Sequence, residues 1–182
     1  MVFLVIGFAI IFGLVLISLP TVLAFLINRW LKQKGIKYVG TVLIIIAPLW
    51  TAYEIYTAIY PPDNFYFEEY EEVTLREIPA SAKIKKKVAS YPDFHGDYCS
   101  ASLIILSKKD YSVLLKELKN DERLSQEENI IGSNEMDYVM SNFKREQIVH
   151  SFTRSIENQT DHYLFIGFID DGHSIIVTVC VN

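Results

Sequence analysis

The 182-residue sequence predicts a two-helix transmembrane hairpin followed by an α+β domain, an antiparallel sheet of four to six strands with two helices on one face. Three observations carry this expectation. Two long apolar runs lie before residue 61 with a short basic turn between them. Beyond them, several short stretches alternate apolar and polar residues, as half-buried strands do, and two others repeat apolar residues at i, i+3, i+4 and i+7, as amphipathic helices do.

Charge divides the chain in the same way. Residues 1–60 hold Arg29, Lys32, Lys34 and Lys37 against Glu54 alone, a net of +3, whereas residues 61–182 hold thirteen cations and twenty-one anions, a net of −8. This excludes a nucleic-acid binder, which needs a basic footprint on its domain. With 51% apolar residues the chain is not a disordered one. A freely soluble single domain is excluded too, because the head must meet a lipid bilayer.

From Val2 to Ile27 there is no charged residue, and about 20 apolar residues suffice to cross a hydrocarbon core about 30 Å thick. A cleaved signal peptide would need a basic leader, a shorter apolar core and a small-residue cleavage site, and the run lacks all three. Pro20 lies inside it. The second run spans about 39–60 and stops at Pro61-Pro62, because proline supplies no N–H and restricts the residue before it. The loop 28–38 carries all four cations of the head, which places it in the cytosol and sends the N-terminus and everything after Tyr60 to the other side. In a bacterium that is the inner membrane with a periplasmic domain. Trp50, Tyr53, Tyr56 and Tyr60 suit the outer headgroup region. Glu54, the one ionisable residue within a span, either reaches the interface, faces the first helix, or serves in partner contact or in proton or ion sensing.

Residues 61–72, whose core is DNFYFEEYEE, read as an acidic aromatic stalk, and residues 73–182 suffice for one domain. Lys83, Lys85 and Lys87 alternate with Ile84, Lys86 and Val88, the pattern of a lysine-protected edge strand. Cys99 to Ile105 and Ile175 to Val181 read as central strands. Gln147 to Ile156 and Tyr163 to Ile169 are further strands, the latter joined to the last by a turn at Asp170 to His173. Ser107 caps a helix with Tyr111, Leu114, Leu115 and Leu118 on one face, and Ser133 caps a second with Met136, Val139, Met140 and Phe143. Asn120 to Gly132 reads as a loop.

Chemistry is sparsely signalled. Cys99 and Cys180 either form a disulfide across neighbouring strands, as an oxidising compartment permits, or sit as two separate buried thiols. Asp93, His95 and Asp97 are weak candidates for a metal site, because a loop entering a strand is rich in Pro, Asp and Gly for turn reasons alone. Ser100 and Ser102 lack a nucleophile elbow, and no phosphate-cradling glycine run or CxxC is present. Neither an enzyme nor a cofactor is expected. The acidic residues Glu68, Glu69, Glu71 and Glu72, with Asp93, His95 and Asp97, instead offer a surface for a protein partner. The layout therefore suggests a periplasmic protein-binding domain held by its own anchor. The specific expectation is an immunity protein neutralising an interbacterial toxin, with charge complementarity serving where that toxin is cationic. An accessory or sensory subunit of a larger membrane complex is the first alternative, and a metal-dependent hydrolase the second.

Overall fold

Two units make up the chain, Met1–Ala58 and Ile59–Asn182. The computed structural model describes residues 2–36, 38–90, 96–126, 132–156 and 159–181, with side chains described over 18–36, 38–90, 96–126, 132–155 and 161–181.

In the first unit, helix α1 (Val2–Gln33) and helix α2 (Tyr38–Ile59) follow one another across a turn in the basic stretch. Gly35 makes that turn at φ +83°, where a side chain would be strained. Its N–H bonds the Lys32 carbonyl and the Ile36 N–H bonds the Leu31 carbonyl, at 3.2 and 3.0 Å, the paired bonds that end a helix on a left-handed residue. Gly40 on α2 then lies against Asn28 on α1. A Cβ at residue 40 would collide with the Asn28 Oδ1 and stand 2.6 Å from its Cα, so the two backbones approach only because residue 40 is glycine. Leu23, Phe25, Ile45, Leu49 and Trp50 are exposed. Among the described residues one helix, α2, is long and apolar enough to cross a membrane. The other expected span falls in α1, where the side chains of residues 2–17 lie outside the described set.

The second unit is α+β. Its chain order is helix α3 (Asp63–Thr74), strands β1 (Lys83–Ala89) and β2 (Tyr98–Ile105), helix α4 (Lys108–Lys119), strand β3 (Ser125–Gln126), helix α5 (Asn134–Val139), and strands β4 (Ile148–Ile156), β5 (Gln159–Ile169) and β6 (Ser174–Val181). The six strands form one antiparallel sheet in the order β1-β2-β6-β5-β4-β3. Central position follows composition: β6 is buried almost throughout and β5 from Leu164 to Ile169, and both are rich in β-branched and aromatic residues. The β5–β6 turn bends at Gly172, φ +71°, and Asp171 Oδ1 accepts the N–H groups of His173 and Ser174.

Both faces of the sheet are covered, which corrects the expectation of helices on one face only. Tyr70 and Val73 of α3, with Tyr111, Leu114 and Leu118 of α4, pack on Ile104, Leu164, Ile166, Phe168, Ile175, Val177 and Val179. Met136, Val139 and Met140, at α5 and its end, pack on the opposite face against Ala101, Leu103, Phe165, Ile169 and Ile176. Ser100, Ser102 and Thr178 are polar yet buried. Small hydroxyl side chains fit beneath a helix, so their polarity does not report exposure.

The stalk expected at 61–72 is also corrected. It is helix α3, and Tyr66, Glu69, Tyr70, Val73 and Thr74 form its buried stripe. The expected loop from 120 to 132 contributes the short strand β3, paired Ser125 to Thr153 and Gln126 to Phe152. The caps of α4 and α5 agree with the sequence: Ser107 accepts the Asp110 N–H and Ser133 the Met136 N–H, both at 3.1 Å.

Strand β1 is an edge, as its lysines imply, but its alternation is broken by a bulge between Ile84 and Lys86. The extra residue reverses the facing of the rest of the strand, so Ile84 joins the α3/α4 core and Val88 the α5 core. The same shift sends Lys86 to α5, where its Nζ bonds the Tyr138 carbonyl at 2.6 Å over the Tyr138 ring. Lys87 turns to the other side, donating to the Pro61 carbonyl at 2.9 Å and to Asp63 Oδ1 at 2.7 Å.

Candidate functional site

Helix α3 separates the four glutamates that sequence reading grouped into one acidic strip. Glu68, Glu71 and Glu72 are exposed, whereas Glu69 is buried at 5% accessibility. The separation is a consequence of helical spacing, since residue 69 shares the inward stripe with Tyr66, Tyr70 and Val73. Below it, the Ser100 hydroxyl of β2 donates to Glu69 Oε1. Burial pushes the Glu69 carboxyl up to about 8, the Ser100 bond opposes this, and Glu72 one turn on reinforces it. Tyr66 is raised to about 12 by burial and by Glu69, and Tyr98 is raised for the same two reasons with Glu72 added. Glu71 is used locally, accepting the Ile78 N–H at 3.2 Å. Of the four glutamates, Glu68 and Glu72 thus face solvent, and Glu71 is tied to the connector.

The remaining candidates distribute differently. Asp93 and His95 lie outside the described residues, and Asp97 is half-buried in the segment entering β2. Among the described residues no three His, Cys, Asp or Glu side chains are grouped to hold a metal ion. Cys99 and Cys180 face one another across β2 and β6 and are joined as a disulfide, S–S 2.07 Å. Glu54 is exposed on α2.

Sequence reading missed a second polar centre, on the outer side of α3 and α4. Arg76, in the connector after α3, donates from Nε to Glu117 at 3.2 Å and from Nη2 to Asp121 at 2.7 Å. Its Nη1 bonds the carbonyls of Thr74 and Leu75 at 3.1 and 3.2 Å. Arg123 holds Asp121 from the other side at 2.7 Å, and the two arginines keep that carboxyl well below the usual range. Nearby, Asp110 accepts the hydroxyls of Ser81 and Ser107, which hold its carboxyl low. A cleft of about 230 Å³ lies between the connector and α4, bordered by Tyr70, Arg76, Glu77, Asp110, Val113 and Glu117. Separations of 41 and 45 residues between Arg76 and its partners leave no local signal for this centre.

Chemically, the two centres differ. Glu69 is buried, and its burial favours the protonated carboxyl. The outer cleft is open and presents fixed charges, an arrangement suited to recognition. Comparison of the chain with protein-family models, curated proteins and solved structures finds no match.

Proposed function

We propose that the protein is a membrane-anchored, periplasmic protein-binding domain, and within that class an immunity protein that neutralises an interbacterial toxin. In this reading α1 and α2 form a transmembrane hairpin in a bacterial inner membrane, its basic turn in the cytosol, and the unit from Ile59 onward lies in the periplasm. The observation that carries the reading is the Cys99–Cys180 bond in a unit preceded by an apolar helix, because disulfides persist in oxidising compartments. The clustering of Arg29, Lys32, Lys34 and Lys37 at the turn, which favours a cytosolic turn, points the same way. Capture needs a rigid acidic surface held where the toxin acts, and opposite charge raises association rates. Deletion is expected to sensitise the cell to a toxin-producing sibling in competition, and alkaline phosphatase fused after Asn182 is expected to be active. Unchanged survival of the deletion strain, or a silent phosphatase fusion, sinks the proposal.

A second reading, an accessory or sensory subunit of a larger membrane complex, is favoured by one observation: Glu54 is exposed on α2 rather than packed away. A carboxylate at membrane depth is costly unless a partner or water meets it. Under this reading Glu54→Gln abolishes function while the protein still accumulates in the membrane. Under the first reading the same variant protects the cell as well as the native protein does.

A further inference from the structure

The first unit carries a groove for which capture of a periplasmic partner has no use. It lies between α1 and α2, holds about 340 Å³, and is walled by Leu23, Ala24 and Ile27 on one side and by Leu43, Ala47 and Trp50 on the other. That volume falls within the roughly 300–1,000 Å³ of ligand pockets. The one hydroxyl on its lining, that of Thr51, is spent on the Ala47 carbonyl at 3.0 Å. An occupant therefore meets an apolar channel.

The groove side of α1 runs on into the basic turn. Ala24, Ile27, Leu31 and Lys34 fall at i, i+3, i+7 and i+10, one stripe of a helix. Lys34 follows the last residue of α1, but its N–H still bonds the Trp30 carbonyl at 3.3 Å, so it keeps its place on the stripe. At about 100° per residue, Arg29 falls on the far side of the helix. Trp30, exposed one turn before Lys34, is of the type that favours headgroup depth. Lys34 is exposed and forms no ion pair among the described residues. Glu54, the only acid of the head, stands near the opposite end of α2, which starts beside the turn at Tyr38.

We propose that this groove holds one acyl chain of an anionic phospholipid whose phosphate pairs with Lys34. Charge complementarity selects the occupant, because basic sites between spans on the cytoplasmic side attract anionic headgroups. A partner helix fits less well. Membrane helices approach one another over small residues, and here single alanines are flanked by Leu23, Ile27, Leu43 and Trp50. The proposal rests on the part of the reading above that sets α1 and α2 across a bilayer with the turn in the cytosol, and it needs no toxin.

The test uses the full chain in a non-ionic detergent, titrated with dioleoyl phosphatidylglycerol or with dioleoyl phosphatidylcholine, which has the same chains and no net charge. Native mass spectrometry counts the lipids bound. One phosphatidylglycerol per chain is expected to bind about fivefold more tightly than phosphatidylcholine, the effect of one cation near a lipid headgroup. Lys34→Gln is expected to abolish that preference, whereas Arg29→Gln, which removes the same charge from the far side of α1, keeps it. Ala47→Phe, which fills the groove, is expected to lose both lipids, and Ile45→Phe, on the exposed side of α2, to bind as the native chain does. Lys34 and Arg29 are both exposed, so their comparison stands whether or not Ala47→Phe folds.

Equal affinity for the two lipids, a preference that Lys34→Gln keeps or that Arg29→Gln loses equally, or binding that Ala47→Phe leaves intact overturns the proposal. So does a dimer of the chain that Ala47→Phe abolishes, which would make a second copy the occupant. If the lipid preference fails while the phosphatase fusion is active, the groove assignment alone is refuted. If alkaline carbonate strips the protein from membranes, the spanning reading falls and this proposal falls with it.

Discussion

Replacing Cys99 and Cys180 together by alanine is expected to destabilise the second unit by about 4–5 kcal/mol, the loop-closure entropy that the chain model assigns to a cross-link with a sequence separation of 81 residues. The bond ties β2 to β6, near the middle of the sheet, so its loss acts on the whole unit rather than on a frayed edge. Urea unfolding of the full chain in detergent micelles, followed by tyrosine fluorescence, measures the change. A stability difference under about 1 kcal/mol between native and double-alanine protein would show that the cross-link does not restrain the unfolded chain.

The second large effect is a dependence on pH centred on Glu69. Tyr66 and Glu72 approach this carboxyl from its own helix and Tyr98 and Ser100 from β2, while Lys87 of β1 lies 5.3 Å from the Tyr66 ring. Burial raises the folded-state value from 4.5 to about 8. Between those values the folded protein keeps a proton that the unfolded chain has released, so stability falls as pH rises through this window and levels off above it. The expected loss is on the order of 3 kcal/mol between pH 5 and pH 9. Glu69→Gln keeps the shape and an acceptor for the Ser100 hydroxyl but cannot ionise. Its melting temperature is expected to change much less over the same range and to exceed that of the native protein at pH 9. A native profile that rises from pH 5 to pH 9, or a Glu69→Gln variant that reproduces the native slope, would remove Glu69 as the cause.

Glu69 also shows why part of the fold escaped the sequence. Helices α4 and α5 were legible because cap and apolar spacing lie within one short window: Ser107 with Tyr111, Leu114 and Leu118, and Ser133 with Met136, Val139 and Met140. The β5–β6 turn was legible for the same local reason, a glycine at positive φ behind two aspartates. Helix α3 has an equally regular inward stripe, but an acid occupies one of its positions, and the group that receives it, Ser100, is 31 residues away. The bulge at Lys85 was hidden because the strand reads as unbroken alternation, and only the register with β2 exposes the extra residue. The outer cleft was illegible altogether, since Tyr70, Arg76, Asp110 and Glu117 meet only after α3 and α4 have packed on the same face. The paired spans and the periplasmic location remain expectations drawn from charge and apolar length, and the phosphatase fusion tests them.

The position of β6 sets the order in which the domain can be completed. Until residues 174–181 have emerged, the strands made earlier can form only two separate fragments, β1 with β2 and β3 with β4 and β5, each leaving an open flank where β6 belongs. Cys99 must wait with a free thiol for the same segment, so assembly of the sheet and oxidation of its cross-link become a single late event. Until then the exposed flanks of both fragments are open to wrong pairing, and delaying the last strand should raise the yield of aggregated chains more than delaying any other.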